Sequence, residues 1–300
     1  MQLPKYDLIF ISTCTTLDYV HDLLSSIANN NNCLNVCVII LFQGGLKMDI
    51  INNTPNTTFV NLKCDEFYSL SEARNRVIQY VRKQNIVASY VMFPDDDSTF
   101  GEDFFDNFNH EVHSNTLISV YCTGTKNLYK KMPSLNYMEQ TDNYLNAMSV
   151  NMIIQYEHFM EIGFFDEKMG VGAKYGAGED GDFFFRICEK FGPFSFNQHL
   201  CTFHPASNVK FASMSLKNLI LRYKKYGEGV IYLLCKHRKY RQAFGCIIMG
   251  MLGAFKALLI DLNGKLCIAR MVGVYYRSKM FLFLFFLKFC DISNICYLKK

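Results

Sequence analysis

The chain has 300 residues, half of them hydrophobic and 19% charged, which supports one large domain or two smaller ones and excludes wholesale disorder. The formal net charge of +4 conceals an asymmetry: residues 210–300 hold 17 Lys and Arg against 3 Asp and Glu, and the rest of the chain holds 14 against 24. A neutral-to-acidic body with a basic, apolar tail lacks a nucleic-acid recognition module and suits the surface of an anionic membrane.

In chain order, Tyr6–Ser12 is an apolar run of strand length. Asp18–Ala28 repeats apolar residues at helical spacing through Val20, Leu23, Leu24 and Ile27, and four asparagines, Asn29–Asn32, close that helix. Val36–Phe42 is a second buried strand, stopped by Gly44-Gly45, and Thr58–Leu62 a short third. Ser71–Lys83 is predicted helical, with Ala73, Val77, Tyr80 and Val81 on one face, and Ala88–Phe93 is a fourth strand. This alternation argues for a parallel sheet with helices on its faces, where ligands bind beyond the carboxyl ends of the strands. Phe104–His113 is predicted helical, Leu117–Tyr121 and Asn146–Ile154 extended, and Glu157–Gly163 a short helix ending at glycine. Gly170–Gly178 contains four glycines and suits a mobile loop, and Asp180–Phe191 reads as the helix that follows.

Beyond about residue 210 the character changes. Leu216–Tyr226 is a basic amphipathic helix and Lys236–Arg241 a charge cluster. Phe244–Leu262 is largely apolar but interrupted by Lys256 and Asp261, and Phe281–Phe289 is intensely apolar. The latter covers only half of the ~20 residues a membrane helix requires, so interfacial helices lying on a membrane are expected. The 12 cysteines form no CxxC pair, which gives zinc-ribbon and thioredoxin-type chemistry no support. With no basic-then-apolar segment at the start, a reducing cytoplasmic compartment is expected, at the inner face of the membrane.

Two acidic clusters carry the chemistry. Asp95-Asp96-Asp97 directly follows the Tyr90–Pro94 run, and adjacent carboxylates at a strand end repel one another unless a cation or a set of donors meets them. Glu179-Asp180-Gly181-Asp182 follows the glycine-rich stretch. Taken alone, the first would also suit a solvated turn or cap, and the second a helix N-terminus. Together they point to a divalent-metal site facing a general base.

Several motifs in one order sharpen this reading. They are Ser12-Thr13 after the opening strand, Ser71-Glu72-Ala73-Arg74-Asn75-Arg76, and Phe93-Pro94-Asp95-Asp96-Asp97, then Gly163-Phe164-Phe165-Asp166-Glu167, Gly178-Glu179-Asp180-Gly181-Asp182 with Arg186, and His204-Pro205. Over about residues 5–206 the chain resembles family 2 glycosyltransferases of the bacterial polysaccharide type. The resemblance implies the α/β GT-A fold, with a mixed, mostly parallel central sheet flanked by helices. It divides the chain into a nucleotide-sugar half (1–100), an acceptor and catalytic half (101–209) and a helical membrane-associated extension (210–300).

The resemblance also implies roles. Asp95 and Asp97 form a DxD motif holding Mn²⁺ or Mg²⁺ against the diphosphate of a nucleotide-sugar, with His204 as a further ligand. Asp95 and Asp96 serve the donor, and Thr13, Asp18, Gln43, Arg74 and Asn75 lie where the family holds the nucleotide. Asp180 is the general base toward a hydroxyl of a glycan or lipid-linked acceptor, which Glu179 and Asp182 help to orient. One departure concerns the base: Phe42-Gln43-Gly44-Gly45 stands where the family often places two acids before Gly-Ser. Inversion at the anomeric carbon comes from the family. Two rivals are a non-catalytic, membrane-docked subunit of a polysaccharide assembly complex and a sugar-phosphate nucleotidyltransferase. The latter would need a glycine-rich, basic loop that Ser12-Thr13-Cys14-Thr15-Thr16 does not supply.

Overall fold

The computed structural model describes residues 5–46, 53–130, 137–138, 145–206 and 213–297. The chain forms two compact units, one of Met1–Asp166 with Phe183–Ala206, the other of Glu167–Asp182 with Ser207–Lys300.

The first unit is built on one sheet of nine strands among the described residues. Its first half comprises β1 (Lys5–Cys14), α1 (Val20–Asn30), β2 (Val36–Phe42), β3 (Thr57–Lys63), α2 (Leu70–Lys83) and β4 (Val87–Met92). Then come β5 (Thr99–Phe100), α3 (Glu102–Glu111), β6 (Thr116–Cys122), β7 (Tyr137–Met138), β8 (Met152–Gln155), α4 (Tyr156–Ile162), α5 (Glu179–Phe191) and β9 (Phe194–His204). The strand order is β3-β2-β1-β4-β8-β6-β9-β5, with β7 on β9. The long ladders, β1 with β2 and β4, β2 with β3, and β6 with β9, are parallel. The short ones, β4–β8, β6–β8, β5–β9 and β7–β9, are antiparallel.

β2 shows why this half folds as it does. All seven of its residues are buried, which only a strand covered on both faces achieves. Phe10, Phe100, Phe104, Phe105 and Phe108 pack in one aromatic cluster, with ring centroids 4.7–6.4 Å apart. A second cluster forms around Phe93, whose ring lies 5.0 Å from Phe165 and 5.8 Å from both Phe159 and Phe183.

Two elements show how the structure departs from the sequence expectation. Asn146–Ile154 is not one strand, because a 3₁₀ turn at Ser149–Asn151 precedes β8. The Asn151 carboxamide accepts from the Met148 N–H and donates to the carbonyls of Asn146 and Ile118, so it takes up the backbone groups a ladder would have used. β9 was not expected at all. Its polar middle bulges where Asn197 Oδ1 accepts from the N–H groups of both His199 and Leu200, and the register against β6 shifts there.

In the second unit, residues 167–178 make a glycine-rich turn leading into the start of α5, and three long helices follow among the described residues. They are α6 (Leu216–Lys236), α7 (Tyr240–Leu259) and α8 (Gly264–Tyr297). Ser215 caps α6 by accepting from the Asn218 N–H, and the helix runs ten residues past the expected end at Tyr226. Gly229 lets α6 touch the turn backbone to backbone, since a Cβ there would lie 2.3 Å from the Ala177 carbonyl oxygen. α7 is long and apolar enough to cross a membrane by length and composition. Of the apolar Phe281–Phe289 run, residues 287–289 lie outside the described side chains.

Candidate functional site

β4 ends at Met92, and Pro94, which has no N–H to donate, stops the ladder just beyond it. A tight turn follows, in which the N–H and hydroxyl of the buried Ser98 both donate to the Asp95 carbonyl, at 3.1 and 2.7 Å. β5 then pairs Thr99 with Phe203, and this register sets His204, the last residue of β9, against the aspartate turn. His204 Nε2 lies 3.2 Å from Asp97 Oδ1 and 3.7 Å from Asp95 Oδ2. One ligand atom from each of Asp95, Asp97 and His204 falls within 4.8 Å of the others.

The two oxygens of Asp95 face different partners. Oδ1 accepts from Arg74 Nη2 at 3.0 Å and from the Ser149 hydroxyl at 3.3 Å, and Oδ2 is the oxygen toward His204. Arg74 is 1% exposed, also donates to Ser149 Oγ at 2.8 Å, and lies against the rings of Phe165 and Phe93. The guanidinium thus fixes the carboxylate from behind, leaving its other oxygen free to act.

His204 is fixed in the same way. Its Nδ1 donates to the Pro205 carbonyl at 2.9 Å, which fixes the ring with Nε2 toward Asp95 and Asp97. The Tyr129 ring meets it edge-on at 5.0 Å. Burial disfavours charge on this imidazole, but hydrogen bonds and charge from Asp95 and Asp97 outweigh it and push its pKa up to about 10. Two carboxylates thus gather a positive charge here. Two carboxylate oxygens and one imidazole nitrogen, with Asp95 and His204 each held by a partner behind it, are a donor set that fits a divalent cation.

The remaining expected residues fall into two groups. Thr13 and Gln43 stand with Asp95 at the carboxyl edge of the adjacent strands β1, β2 and β4, and Asp18 is exposed just before α1. Asp96 diverges from its neighbours toward β1. Burial, then the charge and hydrogen bond of Asp96, raise the Cys14 thiol to about 12. Gln43 is buried and its Oε1 accepts from the Tyr68 N–H at 2.8 Å, so this side chain holds the segment after β3. Asn75 clasps the Phe165 backbone in both directions, at 3.0 and 2.8 Å.

In the second unit, Glu179 is buried and Asp180 half-buried in the first turn of α5. Asp182 is fully buried, and its Oδ1 meets Lys236 Nζ at 2.7 Å and His237 Nε2 at 2.9 Å. It thereby ties the start of α5 to the end of α6. Sequence reasoning missed Ser149, Tyr129, Lys236 and His237 as partners of the acids. Lys236 and His237 were visible only as part of a charge cluster, and Ser149 and Tyr129 carry no local signal.

The sequence matches no protein-family model and no curated protein. Solved structures do match it by fold. A fragment of S. aureus TarS, residues 1-349, superposes with a TM-score of 0.52 at 12% identity, over 91% of this chain and 90% of that one, and has been solved with UDP-GlcNAc. The chain spans only 43% of a longer S. aureus TarS structure. The mannosyltransferase PcManGT from Pyrobaculum calidifontis, solved with GDP-Man and Mn²⁺, superposes with a TM-score of 0.51 at 11% identity, over 79% of this chain and 65% of that one. At such identities the likeness is one of fold: the chain has the GT-A fold, the α/β class expected from its sequence.

Proposed function

We propose that the protein is an inverting, metal-dependent glycosyltransferase of the family 2 type. It moves a hexosyl unit from a nucleotide-diphosphate sugar to a hydroxyl of a lipid-linked glycan in bacterial surface polysaccharide synthesis. The observation that carries this is the Asp95, Asp97 and His204 group at the carboxyl end of β4, on a GT-A sheet. A divalent cation held by these three side chains supplies charge neutralisation to the departing diphosphate. Arg74 and Ser149 orient Asp95 for that task. Residues 1–100 bind the nucleotide, with Thr13, Asp18 and Gln43 at its edge, and 101–209 bind the acceptor.

Asp180 accepts the proton of the acceptor hydroxyl as that oxygen bonds to the anomeric carbon, and the nucleoside diphosphate leaves with the electrons of the broken C–O bond. Support for this role comes from the motif Gly178-Glu179-Asp180-Gly181-Asp182 and from the position of Asp180 in the first turn of α5. The basic extension, with its exposed apolar helices, docks the enzyme on the inner face of the cytoplasmic membrane. The test is a Mn²⁺-dependent transfer assay over a panel of nucleotide-sugars. Asp180→Asn should bind donor as the parent does and lose turnover at least a hundredfold. Full turnover in that variant would remove the base assignment.

A further inference from the structure

The second unit contains a cavity of about 350 Å³ between the glycine-rich turn and α6. Its α6 wall is a single helix face: Asn218, Leu221, Arg222, Lys225 and Tyr226 stand at i, i+3, i+4, i+7 and i+8. The charged residues of the lining are Arg222 and Lys225, both cationic. Packing presets both. A Cβ on Gly176 would lie 2.7 Å from Lys225 Cβ, so the turn rests directly on the lysine stem. The Lys225 ammonium reaches the carbonyls of Lys174 at 3.1 Å and Ala173 at 3.5 Å, which pins the turn over α6. The Arg222 guanidinium lies over the Tyr226 ring at 4.4 Å and donates through Nη2 to the Tyr226 hydroxyl at 3.2 Å. This holds its planar fork at the cavity wall. At the rim, Val171 and Leu221 are 58% and 54% exposed and offer apolar surface beside the two cations.

We propose that this cavity is a subsite for a lipid-borne phosphate: Arg222, Lys225 and Asn218 bind the phosphate oxygens, and Val171 and Leu221 take the first carbons of the chain. A guanidinium fork, an ammonium and an amide lining one space are the donors that a tetrahedral oxyanion requires. An apolar rim beside them has no use for a free ion. The turn that forms the other wall ends at Gly178, immediately before Glu179 and Asp180. The subsite therefore holds the carrier end of the acceptor, an assignment of owner that rests on the transfer reading; the binding chemistry does not.

Calorimetry of the full chain tests this, with geranyl phosphate, inorganic phosphate and geraniol as probes. Geranyl phosphate should bind saturably, inorganic phosphate at least tenfold more weakly, and geraniol without measurable heat. Arg222→Gln, which leaves the Lys225 bonds to the turn in place, should weaken geranyl phosphate about tenfold, the loss expected for one charge-assisted hydrogen bond. Leu221→Ser, at an exposed position, should weaken geranyl phosphate severalfold and leave inorganic phosphate unchanged. Asp97→Ala should leave all three probes unchanged, so that failure of glycosyl transfer and failure of this subsite give separate results. Inorganic phosphate binding as tightly as geranyl phosphate would overturn the lipid assignment. Binding within twofold of the parent in Arg222→Gln would overturn the site.

Discussion

In the sheet unit most phenylalanines are interior, Phe67 and Phe164 excepted; in the helical unit several face outward. Phe10, Phe93, Phe105, Phe108, Phe159 and Phe183 are all under 2% exposed. Phe244, Phe255 and Phe283, on α7 and α8, are 52–57% exposed, in company with Met249, Leu252 and Leu259. The charges divide the same way. The buried Arg74 is matched by Asp95 and Ser149, whereas the 210–300 segment carries its large excess of Lys and Arg with few acids to balance them. One residue type thus stabilises a fold by leaving water and, elsewhere, leaves apolar surface exposed among the described residues.

The contrast can be broken by substitution. Phe183→Ala should cost about 3–5 kcal/mol in urea unfolding followed by circular dichroism, because it empties a site among Phe93 and Phe165. A loss below about 1 kcal/mol would mean that the cluster does not hold the sheet unit. Arg74→Ala should cost about 3 kcal/mol, the lower end for a broken buried pair, since Asp95 is about a third exposed and water can reach it. Asp182→Ala should cost about 2 kcal/mol, discounted because the Lys236 it leaves behind is also about a third exposed. By contrast, Phe255→Ser should change stability by less than about 0.5 kcal/mol while reducing flotation with anionic vesicles. Unchanged flotation would remove lipid as the partner of that face. The smallest effect sharpens the picture of the interior: burial holds the Cys14 and Cys37 thiols up at about 12. In the native chain at pH 8, iodoacetamide should therefore spare both and label the exposed Cys33, as read by mass spectrometry.

What could be read from the sequence follows the same physics. β2 was legible because seven buried residues in a row leave no other interpretation for a run that short. β9 was not, because Asn197, Gln198 and His199 break its pattern, and it becomes a strand through its pairing with β6, β5 and β7. Asp95 and Asp97 announced themselves as neighbours in sequence. Ser149, 54 residues away, could be placed against Asp95 only by tertiary structure. Asp182 was read together with Asp180, yet its contacts with Lys236 and His237 span more than 50 residues and carry no motif. Gln43 sits where a nucleotide base was expected, and its carboxamide oxygen is already committed to the Tyr68 backbone, a bond that only the path of the chain after β3 creates.

The most direct measurement is a calorimetric titration of nucleoside diphosphates into the protein with and without Mn²⁺, repeated on Asp97→Ala and His204→Ala. One nucleoside diphosphate should bind in the presence of Mn²⁺ and at least tenfold more weakly without it, and both substitutions should erase the difference. Binding that ignores the cation, or a cation effect that survives in Asp97→Ala, would contradict a metal centre at the end of β4.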